Sequence, residues 1–386
     1  MSAEGRVQIH LPRIAGGPVH VVLHEPGNVT GILCGLSPQE ALRIVPALFS
    51  VCAVAQSHAA VSALEAALAI PFNPGTAAAR QALTAMEALR EHLLRIVLDW
   101  PEFLGVAATG AGARPAMGLA RRLACALFGG ADPFSLGARA VPDVELAAEV
   151  IADAEEILVQ IVFGEPLAHW LDRRGEAGLC EWTRDTDTPA SALVAHVLAS
   201  GLTAAPTPLR RPCAADLPGL LKTWLASNCG PLGDGISNVH ALSETTPLSR
   251  RAGHPLVACL GSGGLAARLV ARLVELASLP GELRRLVRNC GPVAERFALE
   301  GTSGGGAGIA AVEAARGRLL HAVRIADAKV AAWAILPPTR VNFATDGIAA
   351  RCLAAMPEAP DGDRLDLARL YVNAIDPCVA CDVRIH

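Results

Sequence analysis

The sequence predicts an α+β fold that is predominantly helical. Hydrophobic residues make up 52% of the 386 residues and aromatic residues only 4%, and a core of small aliphatic side chains favours packed helices over a β-sandwich or barrel. Residues 76–106 and 139–172 carry apolar side chains at helical spacing with charged residues opposite. Strand patterns near the two ends add small β-hairpins to this helical body.

Two pairs of segments have the alternating pattern of strands. Residues 7–10 and 19–23 are separated by a glycine pair, and residues 318–325 and 330–336 are separated by a short polar turn. Each pair predicts a β-hairpin.

Helix boundaries follow from capping and stop signals. Ser37-Pro38-Gln39-Glu40 has the pattern of a capping box with proline at the first helical position, and it predicts a long helix that carries Cys52. Residues 265–279 form an amphipathic pattern that we expect Pro280-Gly281 to stop, and residues 363–372 also have helical spacing.

Two segments have loop composition. Residues 203–218 are rich in proline, alanine and arginine and are the best candidate for a loop or domain boundary. Residues 301–308 contain five glycines, which predicts a turning loop. Residues 261–266 have the spacing of a dinucleotide fingerprint, but helix continues where a second strand should follow, so we reject that interpretation.

Charge and hydropathy exclude two classes of partner. A formal net charge of -4 with 18% charged residues provides no basic stripe, so we expect no nucleic acid. No apolar stretch reaches the roughly 18 residues of a membrane span, and the first residues lack a signal-peptide pattern. We therefore expect no membrane association and a cytoplasmic location.

Eleven cysteines occur in the chain, and in a cytoplasmic protein of this length most are expected to fill the core. Cys378 and Cys381 differ because thiols at positions i and i+3 can hold one soft metal ion or close a redox loop. Spacing alone leaves a metal site and an ordinary thiol pair equally open. A thioredoxin-like role needs a helix after the pair, and only five residues follow Cys381.

Residues 376–381, Asp-Pro-Cys-Val-Ala-Cys, resemble the C-terminal signature of nickel-iron hydrogenase large subunits. Further elements of that family have similar counterparts in the same order, at residues 13–16, 51–56, 244–250, 315–321 and 338–342. The resemblance implies a central helix bundle with small peripheral β-hairpins. It also implies one interwoven domain over residues 1–386, in which the N- and C-terminal motifs meet at one metal site.

The resemblance also implies roles for individual residues. Cys52, Cys378 and Cys381 correspond to metal ligands, with Cys52 and Cys381 on the iron side. In the family the iron carries cyanide and carbonyl ligands. Arg316 and Thr339, the latter preceded by Pro338, stand where the family donates hydrogen bonds to the cyanides, so these three are the expected cofactor-binding residues.

Departures from the family separate this chain from its catalytic members. Phe49 stands where the family has its first cysteine, so the fourth thiolate of a nickel site is missing and we expect no nickel. Gln56 replaces a histidine, and Ala15 and Arg384 replace ligands of an accessory metal. The sequence also shows no cleavable extension after Cys381.

These departures resemble the hydrogenase accessory scaffold family HupK/HoxV. The resemblance implies a non-catalytic scaffold that transiently assembles or holds the iron-cyanide-carbonyl unit and passes it to the hydrogenase large-subunit precursor. A small chaperone and an iron-delivery complex are the further expected partners. Two alternatives stay open: a divergent, catalytically active large subunit, and a metal-free chain that only binds partners.

Overall fold

The computed structural model describes residues 5–14, 17–24, 29–110, 112–201, 217–226, 229, 244–261, 263–290 and 306–386. Within these residues the helices are α1 Pro38–Leu48, α2 Ala53–Ala67, α3 Pro74–Leu94, α4 Ala113–Ala116, α5 Leu119–Phe128, α6 Val144–Leu158, α7 Leu167–Leu171, α8 Gly175–Asp185, α9 Pro189–Ala199, α10 Leu217–Ala226, α11 Pro247–Arg251, α12 Pro255–Ala258, α13 Leu265–Arg288, α14 Pro338–Asn342, α15 Ile348–Ala354 and α16 Asp361–Ile375. The strands are β1 Arg6–Leu11, β2 His20–His24, β3 Ala307–Ala314, β4 Gly317–Ala326, β5 Lys329–Leu336 and β6 Ala380–Ile385.

Two small three-stranded sheets flank the helices. The first has the order β2-β1-β6, with β1 antiparallel to β2 and parallel to β6. The second is an antiparallel β3-β4-β5 meander. Both predicted hairpins are confirmed, and the sequence reading missed β3 and β6, which extend each hairpin to a third strand.

Helix α13 lies at the centre of the main hydrophobic core, where it packs against α3, α6 and α16. Helix α2 lies between α3 on one side and strands β3 and β4 on the other. Because α2 is covered on both sides, its polar residues Gln56 and His58 are buried with its alanines, and the position of its first residue is fixed by both layers.

Three predicted boundaries were wrong. The helix that begins at the confirmed Ser37 capping box ends at Leu48; a 3₁₀ turn over Ser50–Cys52 and a bend of 100° separate it from α2. Phe49 leaves the helical conformation (φ −131°, ψ 59°) and packs its half-buried ring against an apolar cluster, which offsets the lost helical hydrogen bonds. Cys52 therefore precedes α2 as its N-cap instead of lying inside a long helix.

Helix α13 continues through Pro280 to Arg288. Proline removes one helical hydrogen bond, yet burial of Leu283, Leu286 and Val287 beyond it retains the helix. Residues 306–308 of the expected glycine loop are also ordered, since Gly308 lies inside β3. A Cβ on Gly308 would lie 2.3 Å from the Ala63 carbonyl oxygen, so glycine is what lets β3 approach α2.

The possible boundary at residues 203–218 falls outside the described residues except for its last two, which begin α10. One domain over residues 1–386 stays a prediction. In the described ranges no single helix is long and apolar enough to cross a membrane. Only α1 taken together with residues 50–67 passes the length and composition test, and the two are sharply bent.

Candidate functional site

Four junctions of the fold meet around two cysteines. Cys52 lies at the start of α2, Arg316 in the turn between β3 and β4, Thr339 in the first turn of α14, and Cys378 between α16 and β6. The Cys378 amide donates a hydrogen bond to the Thr339 hydroxyl oxygen over 3.0 Å. Pro338 begins α14 without needing a hydrogen-bond acceptor for its nitrogen, and so fixes the position of Thr339.

The two thiols share a hydrogen bond although 326 positions separate them in the chain. The Cys52 thiol donates to the Cys378 sulfur, which lowers the pKa of Cys378. Arg316 and the Thr339 hydroxyl act on that pKa in the same direction. The same hydrogen bond, with burial, raises the pKa of Cys52. Of the two sulfurs, Cys378 is therefore the one whose thiolate form the site favours.

Arg316 extends its guanidinium to the pair from a buried position. Its Nη2 lies 3.1 Å from Glu91 Oε2 and its Nε 3.2 Å from Asp376 Oδ1. The second contact lacks hydrogen-bond alignment, so within the described residues Nε is buried without a hydrogen-bond partner. A buried, unsatisfied donor beside two sulfurs suits an anionic group.

Asp376 is surrounded by positive charge. Arg95, Arg316 and Arg272 approach its carboxylate to 2.9, 3.2 and 3.6 Å. Although burial disfavours the charge of Asp376, the three guanidinium groups lower its pKa to about 2. Burial and the neighbouring arginines lower the pKa of Arg272, while Asp99 and Glu91 pair with Arg95 and Arg316 from the other side.

The backbone next to Arg316 is held by contacts with Thr245 and Asn342. Gly317 has φ +134°, and a Cβ there would lie 1.7 Å from the Thr245 carbonyl oxygen. Asn342 accepts from the Thr245 amide and donates to the carbonyl oxygens of Thr245 and Arg316. Only glycine fits at the position after Arg316. The hydrogen bonds of Asn342 join the family-like elements at residues 244–250, 315–321 and 338–342.

Helix α2 starts on a carboxylate from α3. Glu87 accepts hydrogen bonds from the Val54 and Ala55 amides at 2.9 and 3.0 Å, so it satisfies two of the free amides at this helix end. Burial raises the pKa of Glu87 despite these bonds. Glu91, one turn later on α3, is the partner of Arg316, so α3 supports both Cys52 and Arg316.

Cys381 lies in β6 with Val7 of β1 as its register partner, and it packs against the main core. Burial raises its pKa to about 12. No side-chain hydrogen bond joins it to Cys52 or Cys378. Across the residues that the structure describes, no group of three or more histidine, cysteine, aspartate or glutamate side chains is arranged to hold a metal ion. Cys381 as a third ligand stays a prediction.

The remaining predicted positions are placed as follows. Gln56, which replaces the family's histidine, donates from its Nε2 to Cys52 Sγ at 3.7 Å. The segment before residues 261–266 is helix α12 and not the strand that a dinucleotide fingerprint follows. Ala15 lies outside the described residues, and His386 is exposed beside His10.

The sequence reading missed the second layer of this site, namely Glu87, Glu91, Arg95, Arg272, His321, Trp333 and the charge of Asp376. Glu87 and Glu91 are one helical turn apart on α3, and that spacing was the signal available. Glu91 contacts Arg316 across 225 positions of the chain, and Glu87 contacts the start of α2 across 33. Neither contact could be inferred from residue spacing.

Curated proteins resemble this chain over nearly its whole length. No protein-family model matches the chain. The hydrogenase expression/formation protein HupK of Bradyrhizobium diazoefficiens is 30% identical over 377 residues, covering 95% of this chain and 93% of that protein. The hydrogenase expression/formation protein HoxV of Cupriavidus necator is 29% identical over 392 residues, covering 92% of each chain.

The reduced, active Ni-Fe-Se hydrogenase of Desulfomicrobium baculatum superposes with a TM-score of 0.62 at 15% identity, covering 94% of this chain and 93% of that one. This likeness confirms the predicted α+β, predominantly helical hydrogenase large-subunit-like fold. The chain belongs to the HupK/HoxV family of hydrogenase expression/formation proteins.

Proposed function

We propose that this chain is a non-catalytic maturation scaffold that holds an iron ion with cyanide and carbonyl ligands as cargo and passes it to the precursor of a hydrogenase large subunit. The observation that carries the proposal is the Cys52–Cys378 pair beneath the buried Arg316 guanidinium, with the Thr339 hydroxyl beside Cys378. The names of the relatives support a role in hydrogenase formation.

The donor set suits this cargo. Thiolates are preferred ligands of iron, and the Cys52 thiol, Arg316 and the Thr339 hydroxyl all lower the pKa of Cys378, which favours its thiolate form. The Cys52 proton leaves when its sulfur also bonds to the metal. Arg316 and Thr339 provide charge-assisted and hydroxyl donors for cyanide nitrogens.

The site lacks a nickel ligand, so we expect it to hold the iron unit without catalysing hydrogen conversion. Phe49 stands three residues before Cys52 with its ring packed into an apolar cluster, and a phenyl ring cannot bind nickel. Cys52, Cys378 and Cys381 provide thiolates for iron but not the fourth thiolate that a nickel site of the family needs, so the site can hold the iron unit without completing a catalytic centre. We expect Cys381 to serve as the third ligand after β6 adjusts.

The proposed partners are the hydrogenase large-subunit precursor, a small maturation chaperone and an iron-delivery complex, and the proposed location is the cytoplasm. The relatives' names point to the machinery of hydrogenase formation. A divergent, active large subunit is the second candidate, because the fold is the one that active hydrogenases have.

The test is anaerobic purification followed by metal analysis and infrared spectroscopy. We expect iron with cyanide and carbonyl bands and little nickel in the unaltered protein. Cys52→Ala should lose both iron and bands. Cys290→Ala is the matched control, because among the described residues the buried Cys290 thiol bonds the Leu286 carbonyl oxygen and neither Cys52 nor Cys378, so it should retain them. Stoichiometric nickel with hydrogen uptake would support the active-enzyme alternative, and a metal-free protein without bands would exclude both.

A further inference from the structure

Three buried side chains form a continuous line of hydrogen bonds behind Cys52. Trp333 Nε1 lies 3.2 Å from His321 Nδ1, and His321 Nε2 lies 2.7 Å from Gln56 Oε1. Gln56 Nε2 lies 3.7 Å from Cys52 Sγ. The three side chains come from β5, β4 and α2, so the line crosses from the second sheet to the cysteine.

The chemistry of the groups fixes the direction of this line. An indole nitrogen only donates, so His321 Nδ1 must accept from Trp333. Complete burial lowers the pKa of His321 to about 3, so the ring is neutral at physiological pH and carries its one proton on Nε2. His321 Nε2 therefore donates to Gln56.

The orientation of the Gln56 amide follows from that donation. A glutamine side chain has one oxygen and one NH₂ group, and the oxygen is already turned towards His321. Turning the amide over would bring its NH₂ against the N–H of His321. The NH₂ group of Gln56 is therefore held on the Cys52 side, where the sulfur accepts.

The surroundings allow little rearrangement of the line. Gln56, His321 and Trp333 are between 0 and 4% exposed, too little for water to replace any partner. The Trp333 ring packs edge-on to His321, with 5.8 Å between ring centroids, and lies in an apolar cluster with Val61 and Leu64 of α2. Gln56 is one helical turn from Cys52.

We propose that Gln56, oriented by His321 and Trp333, is a positioning residue that keeps one hydrogen-bond donor on the Cys52 sulfur. Where the iron cargo is concerned, this inference rests on the proposed function. A donor on a metal-bound thiolate withdraws electron density from the sulfur and weakens its donation to the metal. The line thus adjusts the cysteine–iron bond for release to another protein.

The first test needs no iron. Nitrogen-15 NMR of histidine-labelled protein, with His321→Gln to assign the signal, reports which ring nitrogen of His321 carries the proton. We expect the Nε2–H form in the unaltered protein. Trp333→Phe should admit the Nδ1–H form, because it removes the indole donor while keeping an aromatic ring. A proton on Nδ1 in the unaltered protein would overturn the inference.

The second test uses iron-loaded protein. Removing a donor from the sulfur increases donation to iron, so the carbonyl band should move to lower wavenumber in Gln56→Met, and by less in Trp333→Phe. His58→Gln is the matched control, since His58 is an equally buried histidine on α2 that bonds Thr84 at 3.0 Å and lies outside the line. Its band should stay in place.

The outcomes separate the two proposals. Bands in the unaltered protein that do not move in Gln56→Met contradict the positioning role and leave the scaffold function standing. Absence of bands from every protein contradicts the scaffold function, and the NMR result then decides the hydrogen-bond line by itself. If Gln56→Met fails to fold, the milder Trp333→Phe variant carries both measurements.

Discussion

Asp376 has a backbone conformation that few residues other than glycine adopt. It ends α16 with φ 67° and ψ 83°, a conformation that costs about 1–3 kcal/mol for such a residue. The cost is offset because this conformation brings the carboxylate among Arg95, Arg272 and Arg316 while the chain turns towards Cys378. Strain at one residue therefore positions both the charge cluster and the thiol.

Replacing this carboxylate tests the charge cluster directly. Asp376→Asn should lower the free energy of unfolding by about 3–5 kcal/mol, because the buried Arg272 and Arg316 and the half-buried Arg95 lose their common counter-ion. The carboxylate pKa is lowered from 3.8 to about 2 in the fold. Its contribution to stability is therefore complete above about pH 4 and is lost as the pH falls towards 2, so the difference between the two proteins should shrink over that range.

Chemical unfolding at several pH values measures this difference. Asp382→Asn is the control, since Asp382 pairs with the exposed Arg384 on β6, and its loss should cost less than about 1 kcal/mol. Equal effects of the two substitutions at neutral pH would show that the cluster around Asp376 does not stabilise the fold.

At the scale of secondary structure, the contact between α2 and β3 determines the position of Cys52, which is the N-cap of α2. Gly308 permits this contact, because its missing side chain leaves space for the Ala63 carbonyl and the Ala67 amide, 2.3 and 2.6 Å from a Cβ position. Backbone atoms cannot rotate away as a side chain can, so any larger residue must push the helix off the sheet.

Gly308→Ala should therefore destabilise the protein by about 1–3 kcal/mol, measured by thermal or denaturant unfolding. It should also weaken iron retention, since the displaced helix carries Cys52. Gly281→Ala is the matched control: Gly281 is exposed in α13 with no atom within 4 Å of a Cβ, so alanine should stabilise the helix by about 0.5–1 kcal/mol. If Gly308→Ala behaved like Gly281→Ala, the close packing would not determine the position of α2.

Capping and turn patterns within a few residues predicted most helices and strands of this fold. Contacts between distant parts of the chain determined where those helices and strands end. The Ser37 capping box and both hairpin turns are encoded within a few residues, so they could be predicted. The end of α1 and the passage of α13 through Pro280 depend on apolar burial against distant elements. At the site, Cys52, Cys378, Arg316 and Thr339 were found through resemblance to a family, whereas Glu87 and His321 act across sequence gaps that no spacing rule reaches.

At the scale of the whole molecule, the site depends on joining the two ends of the described chain. Strand β6 pairs in parallel with β1 from Arg6 to Leu11. Arg364 of α16 fastens the turn after β1, since its Nη1 and Nη2 donate to the carbonyl oxygens of Arg13 and Pro12 at 2.8 and 2.9 Å. Cys378 lies between α16 and β6, so this connection holds it opposite Cys52.

Arg364→Met should loosen that connection while keeping the length and packing of the side chain. Two charge-assisted hydrogen bonds are lost, which predicts a destabilisation on the order of 2–3 kcal/mol. We also expect faster alkylation of Cys381 in native protein, followed by mass spectrometry, because β6 separates more often from β1. Arg369→Met on the same helix removes only an exposed pair with Asp366 and should change neither quantity appreciably. Unchanged protection of Cys381 in Arg364→Met would mean that the strand pairing alone holds the end of the chain at the site.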